Sequence, residues 1–144
     1  MTAHKGSNYT KLTAARWTPQ NVRENSASVR QICDTFTGLV ASGDTVTLVA
    51  PPENALLDCM SSVIFVSTMS ATAAFDIGSD SGTGTAATCL FSGQTAPTGK
   101  RLTLDSAGFF NMEWDGGALL FSFSGSYTAT TITIQSQLGY KDMP

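Results

Sequence analysis

Short runs of alternating apolar and hydroxylic residues recur from about residue 29 to the end of the chain, each closed by a Gly, Pro or Asp turn signal. This pattern restricts the chain to all-β architectures. In Thr45-Val46-Thr47-Leu48-Val49, Val46 and Leu48 share the face opposite Thr45 and Thr47. Leu119, Phe121 and Phe123 oppose Ser122 and Ser124, and Ile132 and Ile134 alternate with Thr131, Thr133 and Gln135. Such alternation marks strands with one buried and one solvated face. Strands are expected over Val29–Thr37, Thr45–Ala50, Ser62–Thr68, Ala73–Ile77, Ala86–Phe91, Arg101–Asp105, Phe109–Trp114, Ala118–Ser124 and Ala129–Gln137.

The unbroken apolar run Val63-Ile64-Phe65-Val66 fits a central strand buried on both sides. Turns are expected at Ser42-Gly43-Asp44, at Pro51-Pro52-Glu53-Asn54, in a loop over Gly78–Gly84, at Ser92-Gly93 and at Ser124-Gly125-Ser126. Trp114-Asp115-Gly116-Gly117-Ala118 reads as a tight hairpin. A helical turn is expected near Asn54–Met60, and residues 20–30 are a second helical candidate. Ser and Thr number 16 and 20 of 144 residues and occupy the places that charge fills elsewhere, since only 13% of residues are charged. No internal repeat is present, which argues against a propeller or β-helix. The reading is a jelly-roll-like β-sandwich of about eight strands over residues 29–144, preceded by an extended N-terminal arm over 1–28.

Charge divides the chain at the same place. Residues 1–30 sum to +4 and residues 31–144 to −7, with no basic residue between Arg30 and Lys100. A basic arm on an acidic body points to a partner for the arm. The alternative is a first strand with a solvated leader. Five basic residues spread over thirty make a thin footprint for nucleic acid, and an acidic body repels phosphate. No apolar run approaches the ~18 to 20 residues of a membrane span. The N-terminus Met-Thr-Ala-His-Lys-Gly is polar, so no secretory signal is expected.

Catalysis and metal binding find little support. His4 is the one histidine, and it lies in the polar leader, away from any Ser or Cys nucleophile pattern. The carboxylate pairs Glu53/Asp58 and Glu113/Asp115 sit beside turns, where acidic residues serve local geometry. Asp76 and Asp80 match no calcium loop. Gly78–Gly84 lacks the Lys-Ser/Thr ending of a phosphate loop. Cys33, Cys59 and Cys89 form no CxxC pair, so neither zinc nor a disulfide framework is expected and buried thiols are the simpler reading. No cofactor or metal is expected, and the chain reads as a non-enzyme. Trp114 beside Asp115 is the feature that would suit a carbohydrate- or receptor-binding sandwich of a phage fibre or lectin type. Of the pairs Phe109-Phe110 and Leu119-Leu120, one member each should lie outside the core, as at a subunit interface.

Together these residues resemble the capsid decoration, or cement, proteins of tailed bacteriophages. Lys5-Gly6-Ser7-Asn8-Tyr9-Thr10-Lys11 is similar to their polar extended leader, and Gly43-Asp44-Thr45-Val46-Thr47-Leu48 to an early strand of their sandwich. Phe75-Asp76-Ile77-Gly78 with its Ser/Gly/Asp loop resembles a turn found in such virion proteins. Thr131-Ile132-Thr133-Ile134-Gln135 with Leu138-Gly139-Tyr140 is similar to their last strand. The resemblance implies a jelly-roll protein, made in the bacterial host cytoplasm. It would bind the outer surface of the major capsid protein shell and reinforce contacts between coat subunits, commonly as a homotrimer. Position and charge in the leader then select Lys5, Asn8, Tyr9, Lys11, Arg16, Trp17 and Arg23 as contacts to the capsid or to a neighbouring subunit.

Overall fold

Alternating side chains let each strand bury one row of apolar residues while its backbone pairs sideways, and two such sheets close face to face. The computed structural model describes residues 2–7, 9, 30–53, 55–80, 90–104, 111–114 and 116–142. The strands are β1 (Ala3–Lys5), β2 (Arg30–Val40), β3 (Thr45–Leu48), β4 (Ala55–Val66), β5 (Ala73–Asp80), β6 (Phe91–Gln94), β7 (Lys100–Thr103), β8 (Asn111–Glu113), β9 (Ala118–Gly125) and β10 (Thr130–Asp142). One sheet runs β1-β3-β9-β5-β6; the other runs β2-β10-β4-β7, with β8 also on β4.

The winding is that of a jelly roll. β2 pairs with β10, β3 with β9, β4 with β7 and β8, and β5 with β6, all antiparallel. These pairs are successive rungs of one long ladder, and alternate rungs fall in opposite sheets. The ladder closes without β1, which adds to the β3 edge in parallel. Between the sheets lie Val46, Leu48, Leu57, Ile64, Phe75, Ile77, Leu119, Phe121, Ile132 and Ile134, all fully buried. Each such side chain contributes about 1.5–3 kcal/mol by leaving water, so this core outweighs any single polar contact.

Several expectations are corrected. The segment expected as a helical turn, Asn54–Met60, supplies the first half of β4 from Ala55 onward. Ala55, Leu57 and Cys59 face the core while Leu56 and Asp58 do not. Pairing with β8 and β10 overrides the helix-forming composition. β4 is central, but its outer face is solvated: Phe65 is 37% exposed, while Ile64 and Val66 are buried. The hairpin expected between the strands ending near Trp114 and beginning at Ala118 does not form. β8 lies in one sheet and β9 in the other, so this link crosses the sandwich. Trp114 anchors the crossing: its side chain is buried and its indole N–H donates to Gly117 O at 2.7 Å.

Ser92-Gly93 lies inside β6 rather than in a turn. There Phe75 pairs with Gln94 but Ile77 with Phe91, so the two residues oppose Asp76 alone. Gly93 takes φ +62° at this bulge, and its N–H donates to Asp76 Oδ1 at 2.7 Å. Gly78-Ser79-Asp80 continues β5 instead of opening a loop. The strand expected at Ala86–Phe91, apart from its last two residues, and the pair Phe109-Phe110 lie outside the described residues, as does the helical candidate at 20–30 apart from Arg30, which begins β2. No described helix is long and apolar enough to cross a membrane.

Candidate functional site

The leader is seated on the body by two carboxylates. Asp44 follows the Ser42-Gly43 turn, where Gly43 takes φ +88°. Its Oδ2 accepts from Ala41 N (2.9 Å) and lies 3.1 Å from His4 Nε2, and its Oδ1 accepts from Thr2 N (2.9 Å). The Ala41 amide, then His4 and Thr2, hold the Asp44 carboxyl down at about 2, below the ordinary 3.8, against the opposing pull of burial. Burial, and then Asp44, push the Tyr127 phenol above its ordinary 10.0. The His4 ring rests on Phe36, with centroids 5.2 Å apart.

Asp34 is the second seat. It is 2% exposed and points inward from β2, in phase with Phe36 and Val40. It accepts from Thr35 N (2.8 Å) and Val49 N (3.0 Å), which belong to the body. From the leader it accepts Tyr9 N (3.1 Å) and, more distantly, Ser7 Oγ (3.5 Å). Between the seats, β1 pairs with β3 in the register Ala3↔Thr45, His4↔Val46 and Lys5↔Thr47. Gly6 N donates to Thr47 O at 2.7 Å, and Thr45 N to Thr2 O at 3.0 Å. Gly6 itself is wedged tight. A Cβ there would lie 2.1 Å from Asp34 Oδ2 and 2.5 Å from Leu48 Cδ2.

Of the residues selected in the leader, the structure brings Lys5 and Tyr9 together, with Lys5 Nζ 5.6 Å from the Tyr9 ring centroid. Asn8, Lys11, Arg16, Trp17 and Arg23 lie outside the described residues. Sequence reasoning missed Gly6, Asp34 and Asp44. Asp34 carried a signal, because it occupies an inward position in the series Ile32, Asp34, Phe36. A charge in core phase needs buried donors.

The outer face of the β2-β10-β4-β7 sheet is the second surface. Cys33, Thr35, Val63, Phe65, Gln135 and Gln137 line an open cleft there. Thr35, Gln135, Phe65 and Arg101 form one row across four strands. Thr37 Oγ1 and Thr133 Oγ1 bond across the neighbouring row at 3.1 Å. Leu39, 58% exposed, shares this face. On the other sheet Leu120 is turned away from the core, as expected of one member of its pair, yet it is only 4% exposed. Trp114 is buried, which removes the aromatic platform that a carbohydrate site would use. Among the described residues no group of His, Cys, Asp and Glu could hold a metal ion. Cys59 is buried and Cys33 exposed.

No protein-family model matches the chain, and no curated protein matches it. Among solved structures it is similar to a chain of the "Cyanophage Pam1 capsid asymmetric unit", with a TM-score of 0.56 at 15% identity. The likeness covers 91% of this chain and 95% of that one. At that identity it is the fold that the two share.

Proposed function

We propose that this chain is a non-enzymatic structural protein of a phage virion. It binds the outer capsid surface and stabilises contacts between major capsid protein subunits, as a decoration protein does. The observation that carries this reading is the end-to-end likeness to a chain of a cyanophage capsid asymmetric unit, which leaves little of either chain unmatched. The low charge and the hydroxylic, partly apolar outer face of the β2-β10-β4-β7 sheet support it, because such a face suits contact with a protein surface. The division into a leader over 1–28 and a sandwich over 29–144 is supported by the ladder, whose rungs all lie from Arg30 onward. Lys5, Asn8, Tyr9, Lys11, Arg16, Trp17 and Arg23 make the contact to the capsid or to a neighbouring copy, and the working unit is a homotrimer.

Co-sedimentation with empty capsids tests this. The full chain is expected to pellet with capsids and to protect them from heat. Trp17→Ala and added salt separate aromatic burial from charge attraction as the source of binding. Failure of the full chain to bind any capsid of its own phage overturns the reading.

A further inference from the structure

The leader contributes nothing to the ladder that defines the body, yet a built site receives it. The nine strands from β2 to β10 pair among themselves, whereas β1 touches them through one three-residue parallel edge. The receiving site is specific. Two buried carboxylates take leader donors, Thr2 N on Asp44 and Tyr9 N on Asp34, and His4 lies 3.1 Å from Asp44. The slot at Gly6 has no room for a Cβ. Signs also match, since the leader's Lys5 approaches an acidic body. These are the properties of a strand-capture site. Nothing in its chemistry distinguishes the leader of its own chain from that of a second copy.

Reach permits the second copy. Residues 10–29 number twenty, and that length of chain spans at most ~70 Å when extended. A body of this size is roughly 35–40 Å across. We infer that in the assembled protein the β3 edge, with Asp34 and Asp44, takes the Thr2–Tyr9 segment of a neighbouring copy, so that each subunit completes the β1-β3-β9-β5-β6 sheet of the next. This rests on the self-association part of the proposed function, and it adds the receiving surface. Head-to-tail donation gives a closed ring where the rotation between copies closes, which is the arrangement of a cyclic trimer.

Cysteine trapping on the full chain tests it, using the register Ala3↔Thr45. In a Cys33→Ser, Cys89→Ser background, Ala3→Cys and Thr45→Cys are made in separate chains and co-expressed, then oxidised mildly. A linked product of twice the chain mass is expected, and adding Gly6→Ala to the Ala3→Cys chain should abolish it. The chain carrying both cysteines is the control. If that chain links only to itself and the mixed pair yields no linked product, exchange is overturned. If neither links, the capture site itself is overturned. No capsid enters the measurement, so linked chains that fail to pellet with capsids would reject the capsid reading and leave exchange standing.

Discussion

Asp44 concentrates the consequences of a buried carboxylate on a single residue. Its acid is held near 2 in the folded chain against an ordinary 3.8. A depressed folded pKa contributes stability that is present above the unfolded value and is lost as pH falls through the folded one. Melting temperature is therefore expected to fall between about pH 4 and pH 2 more steeply in the wild type than in Asp44→Asn. Asp44→Asn should also be the less stable protein at pH 7, and parallel profiles for the two would refute the assignment. Gly6→Ala acts at the other seat. The added methyl must displace either Asp34 or Leu48, and the leader is the cheaper element to move, being bound through a short edge. Trypsin cleavage after Lys5 should accelerate several-fold in Gly6→Ala while the sandwich keeps its β-sheet circular dichroism.

β4 shows how one strand serves two partners. It pairs with β10 along most of its length, and the register slips between Gln137 and Gly139. Ser62 fills the gap: its Oγ donates to Asp58 O at 2.7 Å and accepts from Gly139 N at 3.0 Å. The side chain is fully buried, so no water replaces either contact. Ser62→Ala leaves a buried N–H and a carbonyl short of partners. It should cost about 1–3 kcal/mol, read from chemical denaturation. Loss of only a few tenths would mean that the bulge is held by its backbone alone. The strand's two halves were read differently from the sequence because Ala55–Met60 is rich in helix formers while Val63–Val66 is not. Only the partner strands on both sides make the two halves one element.

At the scale of the molecule, stability should be indifferent to metal and to reductant. The described residues hold no metal-ligating cluster, and the three cysteines form no CxxC pair in the sequence. A chelator or a thiol reductant is expected to move the melting temperature by less than ~5 °C, a shift that at this size corresponds to on the order of 1–2 kcal/mol. A larger drop with chelator would reveal a missing site. The native mass of the purified protein is expected to be that of a trimer at micromolar concentration, and a monomer throughout the titration would remove both the trimer and the leader exchange.

The strands were legible where period-two alternation is local: Thr45–Leu48, Ala118–Gly125 and most of Thr130–Asp142 follow from their own side chains, and so do the turns at Gly43 and Gly125. The all-β class and the absence of repeats follow from the same local pattern. Which strands pair was not legible, because pairing depends on segments far apart in the chain. β8 and β9, neighbours in sequence, lie in opposite sheets, and Trp114 holds the crossing through a contact that no spacing announces. The leader's basic charge was visible in the sequence, but its seat was not. Asp34 and Asp44 belong to different segments of the body and meet the leader only once the sandwich has closed, since a buried carboxylate is stable only where folding has gathered its donors.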